Sequence, residues 1–162
     1  MRIGALVLAV IAAGGCPYTM GPRPAAPWPR IAVAECVNRT AEVWLGQALN
    51  RELRTALAAR TDAVVCGPGA DAAVVTCVLA RAGRDILGQD AAGAVTAERI
   101  SIEVAVTVTP PAGPSRAFRV VGSAAASRTG LQARDRLLGA ATADAAARIV
   151  DHLIDQGMPT NE

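Results

Sequence analysis

Aromatic side chains, lysine and histidine are scarce in this chain of 162 residues. Phenylalanine, tryptophan and tyrosine together make up 2% of it, one histidine is present, and all 16 basic residues are arginine. Without lysine there is no Schiff-base chemistry, and one histidine leaves most acid–base and nucleophilic mechanisms without a proton carrier. The net charge of +2 excludes a strongly basic nucleic-acid binder. We therefore expect neither an enzyme nor a nucleic-acid-binding protein.

Apolar residues are abundant, at 52% of the chain, and the mean hydropathy is +0.32. This composition is too apolar for a disordered chain, and the length suits one domain. Most of the apolar side chains are small, and small side chains bury little area each. We therefore expect a domain that is only modestly stable alone and is stabilised by a partner.

The N-terminus has the pattern of a secretory signal. Arg2 precedes an apolar run over residues 3–13, which ends in Gly14, Gly15 and Cys16. A membrane-spanning helix needs about 20 apolar residues, so the run is too short to be one. The small-small-Cys ending resembles a bacterial lipobox, which predicts a signal peptide over residues 1–15 and acylation of Cys16. An ordinary signal peptide with an incidental cysteine and a short membrane anchor are the alternatives.

A proline-rich segment follows the predicted lipidation site. Residues 17–29 contain five prolines, which favour an extended, semi-rigid tether. We therefore divide the chain into the signal peptide, a lipidated tether over residues 16–29, a single domain over residues 30–157 and a short tail over residues 158–162. Pro17, in place of Asp, resembles the signal for sorting to the outer membrane.

Hydrophobic periodicity predicts five strands and two helices within the domain. The strands are expected at residues 30–36, 62–66, 72–82, 97–109 and 116–123. The first helix is expected over residues 41–60, with Thr40 as its N-cap, and the second ends at Gly157. The order β-α-β-β-β-β-α predicts an α+β fold, with a mostly antiparallel or mixed sheet of four to five strands and two helices on one face.

The residues of the domain give no catalytic or metal-binding pattern. His152 is alone, no paired-cysteine spacing exists, and no phosphate-binding loop is present. Glu98 and Glu103 are five residues apart on one strand and are expected to be solvated. Three cysteines remain after acylation of Cys16. Cys36 and Cys66 could form a disulfide if their strands are neighbours, while three free thiols, Cys77 included, are the alternative.

Several short motifs, in order along the chain, resemble the LptE family of lipopolysaccharide-assembly lipoproteins. The resemblance covers nearly the whole mature chain. Its motifs are Cys16-x-Tyr18 with Gly21, Ile31-Ala32-Val33, Asn38-Arg39-Thr40, Ala70-Asp71-Ala72, Asp90-Ala91-Ala92-Gly93, Thr96-Ala97-Glu98 and Ala146-Ala147-Arg148-Ile149-Val150-Asp151-x-Leu153.

This resemblance implies a protein without catalytic activity or cofactor, held by Cys16 on the periplasmic side of the outer membrane. Such proteins plug and help assemble the LptD β-barrel and help deliver lipopolysaccharide to the outer leaflet. Arg81, Arg84 and Arg128 are then candidates for binding its phosphates, because arginine suits bidentate phosphate recognition. Acidic neighbours such as Asp85 favour the alternative of a solvated surface. A regulatory lipoprotein that activates peptidoglycan synthases is the alternative function.

Overall fold

The computed structural model describes residues 25–69, 71–127 and 131–157. They form six strands and two helices in the order β1 (Arg30–Val33), β2 (Val37–Asn38), α1 (Leu45–Arg60), β3 (Val64–Cys66), β4 (Ala73–Gln89), β5 (Val95–Thr109), β6 (Arg116–Ala126) and α2 (Leu131–Gly157). The predicted signal peptide, Cys16, most of the tether and the tail lie outside the described residues.

The strands form one mixed sheet in the order β3-β1-β4-β5-β6, and β2 also pairs with β4. The pairs of β1 with β3, β1 with β4 and β2 with β4 are parallel. The long strands β4, β5 and β6 are antiparallel. The predicted α+β fold is confirmed, and the predicted third strand lies at the centre of the sheet. The strand count is higher than expected because the first predicted strand, over residues 30–36, ends at Val33 as β1, and a further short strand, β2, forms beyond it at Val37–Asn38.

Both helices pack on one face of the sheet, which we call the covered face. Every second residue of β5 from Glu98 to Val108 points to this face and is buried. The core beneath the helices is aliphatic; its largest fully buried apolar side chains are Ile31, Leu45, Leu49, Leu53, Leu57, Leu79, Ile102, Leu138, Ile149 and Leu153. The apolar faces of the two helices and the alternate apolar residues of β5 therefore bury one another, as the hydrophobic periodicity predicts.

The start of α1 differs from the prediction. The helix begins at Leu45, and Trp44 at its N-cap makes no side-chain capping bond. The expected cap, Thr40, instead belongs to a loop held by Asn38. Asn38 Oδ1 accepts hydrogen bonds from the Thr40 backbone N–H and hydroxyl, both at 2.9 Å, and its Nδ2 donates to the Glu42 carbonyl at 2.8 Å. The prediction was wrong because this side-chain network competes with the first helical turn.

The β4–β5 hairpin is longer than expected. Residues 84–89, predicted as part of the connection, continue β4 opposite β5, and the turn occupies residues 90–94. Asp90 holds the turn, since its Oδ1 accepts from the backbone N–H groups of Ala92 and Ala94 at 2.9 Å, while Gly93 has a positive φ of 81°. Three register shifts interrupt the pairing, near Leu79, Ile86 and Gly88.

A glycine allows α2 to lie directly on β6. A Cβ atom added at Gly122 would overlap the Ala141 carbonyl oxygen and the Ala145 backbone nitrogen, and would lie 2.6 Å from the Ala145 Cβ. Any side chain at this position would therefore push the helix away from the sheet.

Candidate interaction surface

The face of the sheet opposite the helices is bare: no described helix or strand packs against it. Its side chains alternate with those of the covered face and are exposed or half-buried. Most are small or polar. We call this surface the bare face; its central residues are Val74, Thr76, Val78, Ser101, Glu103, Ala105, Thr107, Ala117, Arg119, Val121 and Ser123.

Half of β4 also has a free edge. β1 and β2 pair with β4 only as far as Leu79, and the Arg39 backbone N–H donates to the Leu79 carbonyl at 3.0 Å as the last bond on that side. Within the described residues, no strand pairs with that side of β4 from Arg81 to Gln89. The free edge thus offers unpaired backbone groups beside the bare face, which is a geometry that accepts a strand from a partner.

Arginines and carboxylates alternate on the bare face next to this edge. In the register of β4 and β5, Arg81 lies opposite Glu103 and Asp85 lies opposite Arg99. Arg119 on β6 donates from Nη1 to the Glu103 carboxylate at 3.1 Å. Arg81, Asp85 and Glu103 line a shallow cleft of about 250 Å³. The patch has three arginines and two carboxylates, so it is weakly cationic and its arginine side chains are exposed.

The two predicted lipopolysaccharide-binding arginines that the structure describes, Arg81 and Arg84, do not form one site. Arg81 and Arg84 are three residues apart in a strand, so their side chains leave opposite faces of the sheet. Arg81 is exposed on the bare face, whereas Arg84 Nε donates to the Glu98 carboxylate at 2.6 Å. Arg128 lies outside the described residues. Arg99 reaches the same face as Arg81, and its alternation with the buried Ile100 was the signal that could have identified it.

Glu98 is not solvated, so that prediction was wrong. Its side chain is 2% exposed, whereas that of Arg84 is 52% exposed. Glu98 has the same parity in β5 as Ile100 and Ile102, which places it at the end of the covered face. The ion pair with Arg84 satisfies the buried carboxylate there. Glu103, by contrast, lies on the bare face, as its parity requires.

A second cleft, of about 860 Å³, opens between β2 and the N-terminal half of α1. Two α1 side chains bond to backbone carbonyls near the interruption between β1 and β2. Asn50 Nδ2 donates to the Ala34 carbonyl at 2.7 Å, and Arg54 Nη2 donates to the Val33 carbonyl at 2.6 Å. Two of the polar side chains that line this cleft therefore hold the helix to the sheet.

The described cysteines are all free thiols. Cys66 lies opposite Ala32, which is level with Val74 of β4, whereas Cys36 is level with Cys77, so their positions are about 10 Å apart along the strand direction. The structure therefore does not bring Cys36 and Cys66 together. It instead places Cys36 beside Cys77, because the following residues, Val37 and Val78, are register partners.

His152 packs against Phe118, with ring centroids 3.9 Å apart. Among the described residues, no group of three or more His, Cys, Asp or Glu side chains is placed to hold a metal ion. Within the same residues, neither helix is both long and apolar enough to cross a membrane.

Solved structures with the same fold include several bacterial lipoproteins. Rare lipoprotein B from Shewanella oneidensis aligns with a TM-score of 0.52 and 17% identity, over 77% of this chain and 95% of that protein. A minor lipoprotein from Acinetobacter baumannii aligns with a TM-score of 0.60 and 14% identity, over 83% and 97%. PelC from Paraburkholderia phytofirmans, described as a dodecamer, gives a TM-score of 0.54 and 17% identity, over 83% and 95%.

These identities are too low to show more than the fold, and no curated protein matches the sequence significantly. The family assignment comes instead from the sequence profile of the LptE family, described as lipopolysaccharide-assembly, which matches residues 28–155. That range spans every described strand and nearly all of α2, so it includes both the bare face and the free edge of β4. The chain therefore belongs to the LptE family of lipopolysaccharide-assembly proteins.

Proposed function

We propose that this chain is an outer-membrane lipoprotein that seats in an LptD-type β-barrel and helps deliver lipopolysaccharide to the outer leaflet. The observation that carries the proposal is the bare face, in a chain whose sequence matches a lipopolysaccharide-assembly family over residues 28–155. A sheet covered by helices on one side only, with small and polar side chains on the other, can lie flat against a polar barrel wall.

The residue types of the bare face support this seat. Thr76 on β4 lies opposite Thr107 on β5, and Ala105 is the neighbouring bare-face residue of β5, opposite Val78. Such side chains are too small to form a hydrophobic protein core of their own, yet they allow a close approach to a partner. The free edge of β4 adds backbone donors and acceptors at the rim of the same surface.

A substitution on the bare face tests the proposed seat. The full chain, produced with its own leader and a C-terminal tag, is extracted from the envelope, and the co-purified barrel is identified by mass spectrometry. Thr107→Arg places a long cation in the centre of the bare face and should reduce the recovered barrel about tenfold or more. Thr55→Arg makes the same change on the exposed side of α1 and should leave recovery unchanged. Equal recovery for both variants would contradict a seat on the bare face.

The exposed arginines Arg81 and Arg99 are proposed to contact lipopolysaccharide phosphates, because both are on the bare face and arginine suits bidentate phosphate recognition. Arg81→Ala combined with Arg99→Ala should weaken binding of the purified chain to lipopolysaccharide several-fold and reduce its salt dependence. Arg51→Ala, which removes an exposed α1 arginine paired with its neighbour Glu52, is the matched control. If the control weakens binding equally, the contact is non-specific.

The lipid anchor is tested separately. We propose that Cys16 is acylated after removal of residues 1–15 and that the tether then holds the domain near the membrane. The intact mass of the membrane-extracted chain should show both changes, and Cys16→Ser should abolish acylation and release the chain from the membrane. An unacylated chain that stays in the membrane fraction would contradict this anchor.

The alternative, a regulator of peptidoglycan synthases, is less favoured by the family match. It predicts that the soluble domain stimulates a purified synthase, whereas the proposed function predicts no stimulation. That assay therefore separates the two functions without depending on the barrel.

A further inference from the structure

Cys36, immediately before β2, and Cys77, on the parallel strand β4, are neighbours. Val37 pairs with Val78 and Asn38 with Leu79, so the cysteines immediately before these pairs lie side by side. Adjacent strands are about 4.8 Å apart, which falls within the range of about 4.4–6.8 Å that a disulfide requires between Cα atoms. Both side chains belong to the core beneath the helices, where Cys36 is 6% exposed and Cys77 is 0% exposed.

The two thiols differ in their surroundings. Cys36 lines the cleft between β2 and α1, with Asn50 Nδ2 at 4.0 Å from its sulfur. A hydrogen bond from Cys77 lowers the pKa of Cys36, and Asn50 and the positive charge of Arg54 lower it further. The same hydrogen bond, together with burial, raises the pKa of Cys77. Cys36 is therefore the better nucleophile of the pair and the one nearer to solvent.

Cys66 is not part of this arrangement. Its Sγ donates to the Ile31 carbonyl at 3.8 Å, and its side chain also contacts Arg30, the first residue of β1. β3, which carries Cys66, and β4, which carries Cys77, lie on opposite sides of β1. The chain thus offers one adjacent pair of thiols and one isolated thiol.

We propose that Cys36 and Cys77 form a disulfide when the chain meets a disulfide oxidant, such as oxidised glutathione or a thiol–disulfide oxidoreductase. The Cys36 thiolate attacks a sulfur of the oxidant, which gives a mixed disulfide and releases one thiolate. The Cys77 thiolate then attacks the Cys36 sulfur and releases the second. Two cysteine thiols are oxidised, the oxidant's disulfide is reduced to two thiols, and the two cysteine protons pass to them.

The bond would act at the irregular junction between β1 and β2. It would join the last residue of the interruption at residues 34–36 to β4, directly before the two β2 residues that continue the pairing. It would also close the chain segment between residues 36 and 77 into a loop, which restricts the unfolded chain and stabilises the fold. This inference depends on neither the barrel nor lipopolysaccharide, so it stands apart from the proposed function.

Peptide mapping tests the pairing on the purified full chain in detergent. The chain is incubated with oxidised glutathione, its remaining thiols are alkylated under denaturing conditions, and it is digested without reductant. Cleavage after arginine alone leaves Cys66 and Cys77 in one peptide, residues 61–81. A second cleavage before Asp71 separates them. The expected product joins residues 31–39 to residues 71–81, with Cys66 alkylated. Alkylated Cys36 and Cys77, a bond that includes Cys66, or glutathione adducts alone would overturn the proposal.

Thermal unfolding gives an independent readout with matched variants. Reduction of the oxidised chain should lower its Tm by about 5–10 °C. Cys66→Ser should show the same difference between oxidised and reduced forms, whereas Cys36→Ser and Cys77→Ser should show none. If either of these two variants cannot be purified, the peptide map of the unsubstituted chain and of Cys66→Ser still decides the pairing. A reduction-sensitive Tm in Cys36→Ser would assign the bond elsewhere.

Discussion

The covered and bare faces of the sheet are made by the same strands, yet they have opposite chemistry. Along β5, residues with the parity of Ile102 are buried by the helices, while their neighbours with the parity of Glu103 stay accessible. The covered face stabilises the fold through aliphatic packing and one glycine contact. The bare face contributes little to that packing, so its residues are free to serve a partner. Because side chains alternate between the two faces of a strand, the residues that stabilise the fold and the residues available to a partner alternate along the sequence.

The largest effect that separates the faces is expected at Gly122, where α2 touches β6. Gly122→Ala should lower the free energy of unfolding by about 3 kcal/mol, because the new methyl group overlaps the α2 backbone. Gly139→Ala is the matched control: an added Cβ there meets nothing within 4 Å, and alanine in a helix should stabilise by about 0.5–1 kcal/mol. Urea unfolding of both variants measures the difference. Similar values for the two would show that α2 does not lie directly on β6.

Two valines on neighbouring strands provide the next comparison. Val104 is fully buried on the covered face, whereas Val121 is 52% exposed on the bare face. Val104→Ala should cost about 2 kcal/mol through lost burial and a residual cavity. Val121→Ala should cost less than about 0.5 kcal/mol. If Val121→Ala proves as destabilising in the free chain, then something covers the bare face even without a partner.

The smallest effect is expected for two glutamates of β5, each paired with an arginine. Glu98 is 2% exposed and Glu103 is 34% exposed. Glu98→Gln should lower the free energy of unfolding by about 1 kcal/mol, since it weakens a charge-assisted hydrogen bond in a buried place. Glu103→Gln should change it by less than about 0.5 kcal/mol, because its ion pair is solvated. Equal effects in urea unfolding would show that burial does not distinguish these two pairs.

The alternation of β5 and the helical stripes predict the covered face closely from sequence. Ile100, Ile102 and Val104 are buried in the pattern that a period of two requires. The same parity applied to Glu98 places it on the covered face, but carboxylates are usually solvated, and the partner Arg84 lies on another strand. Its burial therefore depends on a pairing that the sequence pattern does not specify.

The distal half of β4 shows a different limit. Gly83, Asp85 and Gly88 are poor strand formers, so local propensity favours a connection. The long, strongly alternating β5 overrides that propensity by pairing with β4 as far as Gln89. Here a tertiary partner decides the structure, and no window of β4 alone contains that information.

The proximity of Cys36 and Cys77 could not be predicted for a related reason. They are 41 positions apart, and their contact depends on the register in which β2 joins β4. A shift of one residue would turn one of them away from the core. The sequence therefore shows how many cysteines there are, but the register of the strands determines which of them are adjacent.

The three register shifts along the β4–β5 hairpin have a further consequence, for self-association. A straight, unpaired strand edge readily pairs with the same edge of another copy of the chain, and this pairing starts aggregation. The shifts near Leu79, Ile86 and Gly88 bend and twist this edge, and charged side chains at Arg81, Arg84 and Asp85 repel an identical strand in parallel register. The same register shifts that weaken pairing within the hairpin therefore disfavour pairing of its free edge with another copy of the chain.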